Sequence, residues 1–385
     1  MAMRKLLIIL YEDFPWYSGL SERTLGIIRH LASCNVNIRV FAPLFLNYKK
    51  IEALERIIER IRLCKFRKKS KLTKLLSFVS WIYFQFRCFF KILRNARSIA
   101  IIQYEHYYAF LLAYFVKVLF KKPIIADDIN LLNIRPLPPL RRKIFYIIER
   151  FILEKSSLVT TASPITYAYT KTYFPNTRII YMPNAINKIP ELRNYTRKKW
   201  IVFIGNLGFK QNIEAVKRIF KIIDKLAKMR NDFKVLIIGA NADKAQDFTS
   251  NSLVKRGIVE FLGTVPDTDL DRILNQATIA LLPFFGLPRW GGQMTKTLKF
   301  MSYGICIVAS PEAVKWINGI KSGVHYVLIT SIEEGVNTLN RLLDNIEYCK
   351  RIGLNARRFV ISKYTCDKIY AKYSYLIKKV VNIYR

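Results

Sequence analysis

The stretch LLPFFGLPRWGGQMTKTLKFMSYGICIVAS, residues 281–310, sets the reading of the chain. An apolar strand ends at Pro283, a loop carries Gly286, Gly291 and Gly292, and a helix opens near Gln293. A turn at Gly304 leads into a further apolar strand. Glycine lets a backbone come close to a ligand, and a helix N-terminus presents N–H groups at the positive end of a dipole. Such a turn suits a diphosphate, with Lys296 adding a mobile positive charge one turn into the helix. By spacing alone it also fits an ordinary strand-to-helix connection.

Outward from this stretch the alternation continues. Strand-like runs WIVFIG (200–205), FKVLIIG (233–239), IVEFLG (258–263), TIALLPF (278–284), ICIVAS (305–310) and HYVLIT (325–330) are separated by helical patterns. An earlier set comprises LLIIL (6–10), NIRVFAP (37–43), SIAIIQYE (98–105), KPIIADD (122–128), LVTTAS (158–163) and TRIIYMP (177–183). This is the signature of parallel βαβ units, and each set suffices for its own doubly wound sheet with ligands at the carboxyl ends of its strands. The basic, Pro-containing NAINKIPELRNYTRKK (184–199) between the sets reads as the linker. The expected division is a first domain over 1–185, a second over 186–360, and a carboxyl-terminal helix over 361–385 that packs back toward the first domain.

Composition bounds the function. With 385 residues, 51% hydrophobic and 14% aromatic, the chain can bury large cores, which excludes general disorder. Its 64 Lys and Arg against 27 Asp and Glu leave a net charge of +37, which calls for an anionic partner: nucleic acid, an anionic membrane or a phosphate-bearing substrate. The six cysteines, Cys34, Cys64, Cys88, Cys306, Cys349 and Cys366, are scattered without metal or disulfide spacing. The opening RKLLIIL is cut off by Glu12 and Asp13, too early for a signal peptide, and no run reaches the ~18–20 apolar residues of a spanning helix. Together with a mean hydropathy of +0.12, this predicts a cytoplasmic protein peripheral on the inner face of the membrane.

One stretch breaks the alternation. Residues 49–97 hold 15 Lys and Arg against three Glu, and seven aromatics fall between Phe78 and Phe90. As a helix, Lys74, Ser77, Ser80, Arg87, Lys91 and Arg94 form one narrow stripe on an otherwise apolar surface. That pattern suits an interfacial helix on anionic lipid; the alternatives are an ordinary core helix and a nucleic-acid contact.

The order of FIGNLGFKQN (203–212), FKVLIIG (233–239), VEFLGTVPDTDL (259–270), ALLPFFG (280–286) and GGQMTKTLKFMSYGICIVASPEAV (291–314) resembles the second domain of glycosyltransferase family 4, the group 1 enzymes of GT-B fold. PIIADDIN, LVTTASP and IIYMPNAIN sit where these enzymes carry first-domain strands and a hinge asparagine, here Asn184. The resemblance implies the α/β GT-B architecture, two doubly wound Rossmann-like domains facing a cleft. It implies a nucleotide-diphosphate sugar held mainly by the second domain, an acceptor held by the first, no cofactor and no metal. Carried over by position, Gly263 and Val265 would meet the nucleobase. Lys296 and the helix end beyond Gly292 would meet the diphosphate, and Gly19 would lie beside the phosphates or the sugar.

This chain also departs from the pattern. Many relatives place two glutamates eight positions apart, the second on the ribose hydroxyls, where this chain has Gly291 and Lys299. An ammonium cannot accept a hydrogen bond, so Lys299 binds phosphate, points away or marks a changed donor. Relatives often carry Arg and Lys after the strand that opens the second domain. Here Asn206 is a neutral replacement and Lys210 the nearest cation, with Arg289 and Lys299 as candidates to restore charge. Trp290 is placed either to stack on the donor or to pack.

For acceptor chemistry, Glu105 and His106 follow a strand end where relatives carry a His or a Glu, and either side chain could orient or deprotonate a hydroxyl. Asp127 and Asp128 are a second carboxylate pair, or caps for the following helix. His30 and His325 read as structural. The expected activity is a retaining, metal-independent glycosyltransferase of glycan biosynthesis with a membrane-associated or lipid-linked acceptor. The alternatives are a non-catalytic GT-B binding protein and a sugar transferase acting on nucleic acid.

Overall fold

The computed structural model describes residues 5–9, 19–34, 36–44, 58–62, 71–95, 99–192, 196–242, 248, 251–287 and 292–383. Arg289, Trp290 and Gly291 lie outside the described residues, as do the side chains of Glu105 and His106.

The first sheet is built from β1 (Lys5–Ile9), β2 (Ile38–Leu44), β3 (Ile58–Arg62), β4 (Ile99–Glu105), β5 (Ile124–Asp127), β6 (Leu158–Thr161) and β7 (Ile179–Tyr181). They pair in the order β3-β2-β1-β4-β5-β6-β7, all parallel, with Ile8 opposite Val40 on one side and Gln103 on the other. Its helices are α1 (Gly19–Ser33), α2 (Lys71–Asn95), α3 (His106–Phe120), α4 (Pro139–Lys155) and α5 (Pro164–Tyr173). The second sheet holds β8 (Lys198–Ile204), β9 (Lys234–Ile238), β10 (Val259–Gly263), β11 (Ala277–Leu282), β12 (Cys306–Ala309) and β13 (Val327–Leu328), ordered β10-β9-β8-β11-β12-β13 and again parallel. Around it run α6 (Lys210–Leu226), α7 (Ser252–Lys255), α8 (Asp267–Gln276), α9 (Thr295–Ser302), α10 (Pro311–Val314), α11 (Ile332–Leu343) and α12 (Ile346–Lys363), and α13 (Cys366–Ile383) ends the chain.

Both sheets reverse direction beside their first strand, between β1 and β4 and between β8 and β11. A doubly wound sheet leaves its ligand crevice at such a point. Apolar runs without alternation become strands covered on both faces: every residue of β11 is buried. Helix α6 instead shows one apolar face, with Val216, Ile219, Phe220 and Ile223 buried at helical spacing against the second core.

Two differences from the sequence reading concern strands. Residues 58–62, inside the basic stretch, form an edge strand parallel to β2 rather than interrupting the sheet. HYVLIT shortens to the two residues of β13, and His325 lies before it, with Nδ1 accepting from the Lys321 N–H at 3.0 Å.

The first domain has two cores, one on each sheet face. Helices α2, α3 and α4 cover one, through residues such as Phe84, Ala113 and Ile152. The other joins β1 and α1 to Tyr370, Tyr373 and Ile377 of α13, so the last helix completes the first domain. Gly26 permits this approach: a Cβ there would stand 2.9 Å from Cys366 Sγ and 3.0 Å from the Tyr370 ring. Under these helices lies a buried polar cluster. Arg23, 1% exposed, donates to the Met182 carbonyl at 2.7 Å and to Asp127 Oδ1 at 3.3 Å. Thr160 Oγ1 also donates to Asp127, and Tyr373 donates to Gln103 Oε1 at 2.7 Å. Burial works against the Arg23 charge, but Asp127 and Asp128 outweigh it and leave the pKa above its usual value.

Breaking a buried ion pair strands a charge. Arg23→Met is therefore expected to lower stability by about 3–5 kcal/mol in denaturant unfolding, whereas a loss below about 1 kcal/mol would show that Asp127 does not depend on Arg23.

Candidate functional site

The carboxyl ends of β8, β9 and β10 meet in a glycine-built floor. The Gly205 N–H donates to the Ile238 carbonyl at 2.8 Å, the Leu207 N–H to Ala240 at 2.9 Å, and the Gly239 N–H to Gly263 at 2.7 Å. Gly239 has φ +145°, and a Cβ there would lie 2.2 Å from the Gly205 oxygen, so the two turns can touch only without side chains. Gly263 turns with φ +62°. Asn206 braces the loop: its Oδ1 accepts from the Gly208 N–H at 2.7 Å and from Asn241 Nδ2 at 2.6 Å, and its carbonyl accepts from Asn212 Nδ2 at 2.8 Å.

Lys296, in the first turn of α9, faces this floor. Its ammonium donates to Asn212 Oδ1 at 2.8 Å and stands 4.5 Å from the Phe203 ring centroid and 5.1 Å from that of Phe284. A Cβ on Gly205 would come within 2.8 Å of the same nitrogen. Aromatic faces and an amide oxygen thus hold a cation at the end of β8, beside the positive end of the α9 dipole. Lys210 is exposed at the first position of α6, and half-buried Val265 follows β10. Gly19 opens α1.

Two residues carried over to the donor instead meet the first domain. Gly292 lies against Ala162, whose carbonyl oxygen would be 2.4 Å from an added Cβ. Lys299 reaches Glu22 of α1 at 4.0 Å, and the other Glu22 oxygen accepts from Asn187 Nδ2 at 2.6 Å. The position where relatives present a carboxylate to ribose therefore carries a cation matched by a carboxylate from the facing domain.

The joint between domains centres on buried Gln293. Its Oε1 accepts from the Asn184 N–H at 3.2 Å, its carbonyl accepts from Asn184 Nδ2 at 2.9 Å, and its Nε2 donates to the Tyr181 hydroxyl at 2.6 Å and the Trp316 carbonyl at 2.8 Å. Burial pushes the Tyr181 pKa up to about 12, so it stays a neutral phenol here. Sequence reasoning singled out Asn184 but missed Gln293, Asn212, Glu22 and Arg23. These are partners across 84 to 165 residues of chain, and only the fold brings them together.

Glu105 ends β4 directly opposite Asp127 in register, and His106 opens α3. Asp127 and Asp128 are neither an open carboxylate pair nor helix caps, as the sequence alone allowed. Asp127 is fully buried and accepts through Oδ1 from Arg23 and Thr160, while Asp128, at φ +47°, accepts from the Ala162 N–H at 3.1 Å. Burial raises the Asp128 pKa despite Arg23, and α4 starts at Pro138–Pro139 without a side-chain cap. His30 pairs with Asp367 at 3.1 Å, away from the strand ends.

Gly239→Ala should lower the melting temperature of the second domain, because the methyl group forces Gly239 and Gly205 apart. An unchanged melting temperature would show that the two turns need not touch. Gln293→Ala leaves buried partners unpaired and is expected to lower stability by roughly 1–3 kcal/mol, read as a drop in melting temperature.

Comparison with known proteins places this geometry. Residues 198–345 match the family model described as Glycosyl transferases group 1. An uncharacterized glycosyltransferase of Methanocaldococcus jannaschii is 23% identical over 99% of this chain and all of its own length. Among solved structures, sucrose-phosphate synthase of Thermosynechococcus elongatus aligns with a TM-score of 0.70 at 13% identity, covering 99% of this chain and 100% of that one. TarM aligns at 0.71 and 12% identity over 99% of each chain. HepE of Anabaena, in complex with UDP and glucose, aligns at 0.67 and 14% identity over 98% of this chain and 100% of its own. Residues 198–345 thus resemble a group 1 glycosyltransferase domain, and the chain as a whole has the GT-B fold of these solved structures.

Proposed function

We propose that the chain transfers a sugar, with retention, from a nucleotide-diphosphate sugar to a membrane-associated or lipid-linked acceptor. The observation that carries this reading is the Lys296 ammonium, held by Asn212 over the floor of Gly205 and Gly239. As the glycosidic bond to the donor breaks, negative charge grows on the departing diphosphate. A fixed ammonium and the α9 N-terminus stabilise that charge more than the ground state, which is what lowers a barrier. Lys210 and Arg289 are the candidates for further positive charge, with Gly263 and Val265 toward the base. Glu105 or His106, at the end of β4, would orient or deprotonate the acceptor hydroxyl. In this reading the cationic side chains do the work for which other transferases recruit a metal ion.

The choice of donor draws on the neighbours: HepE of Anabaena has been solved in complex with UDP-glucose, and TarM of S. aureus in complex with UDP. The acceptor class draws on charge, since +37 far exceeds what one diphosphate needs. Lys299, standing where relatives use a carboxylate, favours one rival, a non-catalytic binding protein.

Lys296→Ala separates the two. With a panel of nucleotide sugars, kcat/KM should fall about 10²–10³-fold, the loss usual for one oxyanion-stabilising donor, and UDP affinity should weaken in parallel. No turnover of any donor by the unaltered chain would favour the binding protein. A variant as active as the parent would end the assignment of Lys296.

A further inference from the structure

The exposed apolar residues of this chain are not scattered. Of the 22 large hydrophobic side chains found exposed among the described residues, 15 belong to α2, α3 and α4. These helices cover the same face of the first sheet, through one shared core, and α3 touches both neighbours. On α2 the buried stripe is Phe84, Cys88 and Ile92, while Phe86 and Phe90 point to the opposite side at 58% and 57% exposure. Helix α3 buries Ala109, Ala113 and Val116 and shows Phe115 at 60%. Helix α4 buries only Glu149, Ile152 and Leu153, leaving Leu140 72% and Ile147 59% exposed.

A soluble surface rarely carries so much contiguous grease without a partner. The charge on the same helices identifies which kind. Together they hold eleven Lys and Arg against two Glu. Of those two, Glu149 is buried and accepts from the Asn133 N–H at 3.2 Å, and Glu154 is paired with Arg150 at 2.7 Å. Exposed Arg87 and Arg94 flank the α2 aromatics, and Arg141, Arg142 and Lys143 crowd the first turn of α4. A protein partner of ordinary composition does not want an apolar face mixed with unopposed cations, whereas an anionic bilayer offers acyl chains and phosphates side by side. No helix among the described residues is long and apolar enough to cross a membrane.

We propose that the joint outer face of α2, α3 and α4 docks on an anionic lipid surface, with the aromatics at the headgroup boundary. Helix α3 begins directly at the carboxyl end of β4, so one end of this face lies at the strand ends of the first sheet. The proposal deepens the acceptor reading above but stands on the surface alone.

Flotation with vesicles of phosphatidylglycerol and phosphatidylcholine tests it on the full chain, beside the triple variant Phe86→Ser, Phe90→Ser, Ile147→Ser. These side chains are exposed, so melting temperature and UDP affinity should not move. Vesicle partitioning should fall about tenfold or more, and pure phosphatidylcholine should bind the parent weakly. Parent and variant floating equally, or neither floating, would overturn the proposal. A parent dimer in light scattering that the variant loses would overturn it too, by giving the face to a second copy. Lost UDP binding in the parent would count against the transferase reading and leave the docking result intact.

Discussion

Buried backbone groups must find hydrogen-bond partners, and at the seam between the two domains a single amide side chain answers that demand. Gln293 accepts from the Asn184 N–H and donates to Tyr181 of the first domain and to Trp316 of the second. It sits between Gly292, pressed on Ala162, and α9, which carries Lys296. Lys296 is therefore only three residues from the contact that joins the two domains. A change of angle at the joint must be felt by the ammonium over the floor.

Two positions show how the family pattern has been rewritten by charge. Asn206, in place of a cation, serves as a brace whose oxygen is already spent on Gly208 and Asn241. Lys299, in place of a carboxylate, finds Glu22 across the cleft. Both side chains of that pair are more than a third exposed, so its contribution to stability is small, of order 0–1 kcal/mol. Its interest lies in geometry, since it links α9 to α1 across the two domains.

The sheets were legible because parallel strands buried on both faces read as unbroken apolar runs, and twelve of the thirteen strands overlap the runs identified from sequence, their ends agreeing to within two residues or lying inside the run. The exception, β3, hides in a charged stretch because an edge strand need not be apolar. The glycine floor and Lys296 were visible through their turn chemistry. What stayed hidden were long-range polar partners. Nothing local marks Asn212 as the holder of Lys296 or Arg23 as the counter-ion of Asp127, so the sequence alone leaves the Asp127–Asp128 pair between acceptor chemistry and helix capping. The sequence was read for α2 by itself; that α3 and α4 carry exposed apolar side chains over the same core is visible only in the fold.

The position of α13 bears on how the molecule is made. Tyr370 and Tyr373 are fully enclosed by β1 and α1, elements from the opposite end of the chain. A nascent first domain leaving the ribosome therefore lacks two of the aromatic rings that roof Arg23 and Gln103. Domains usually close in order of synthesis. This one stays open on that face until the second domain has been translated and α13 has followed it.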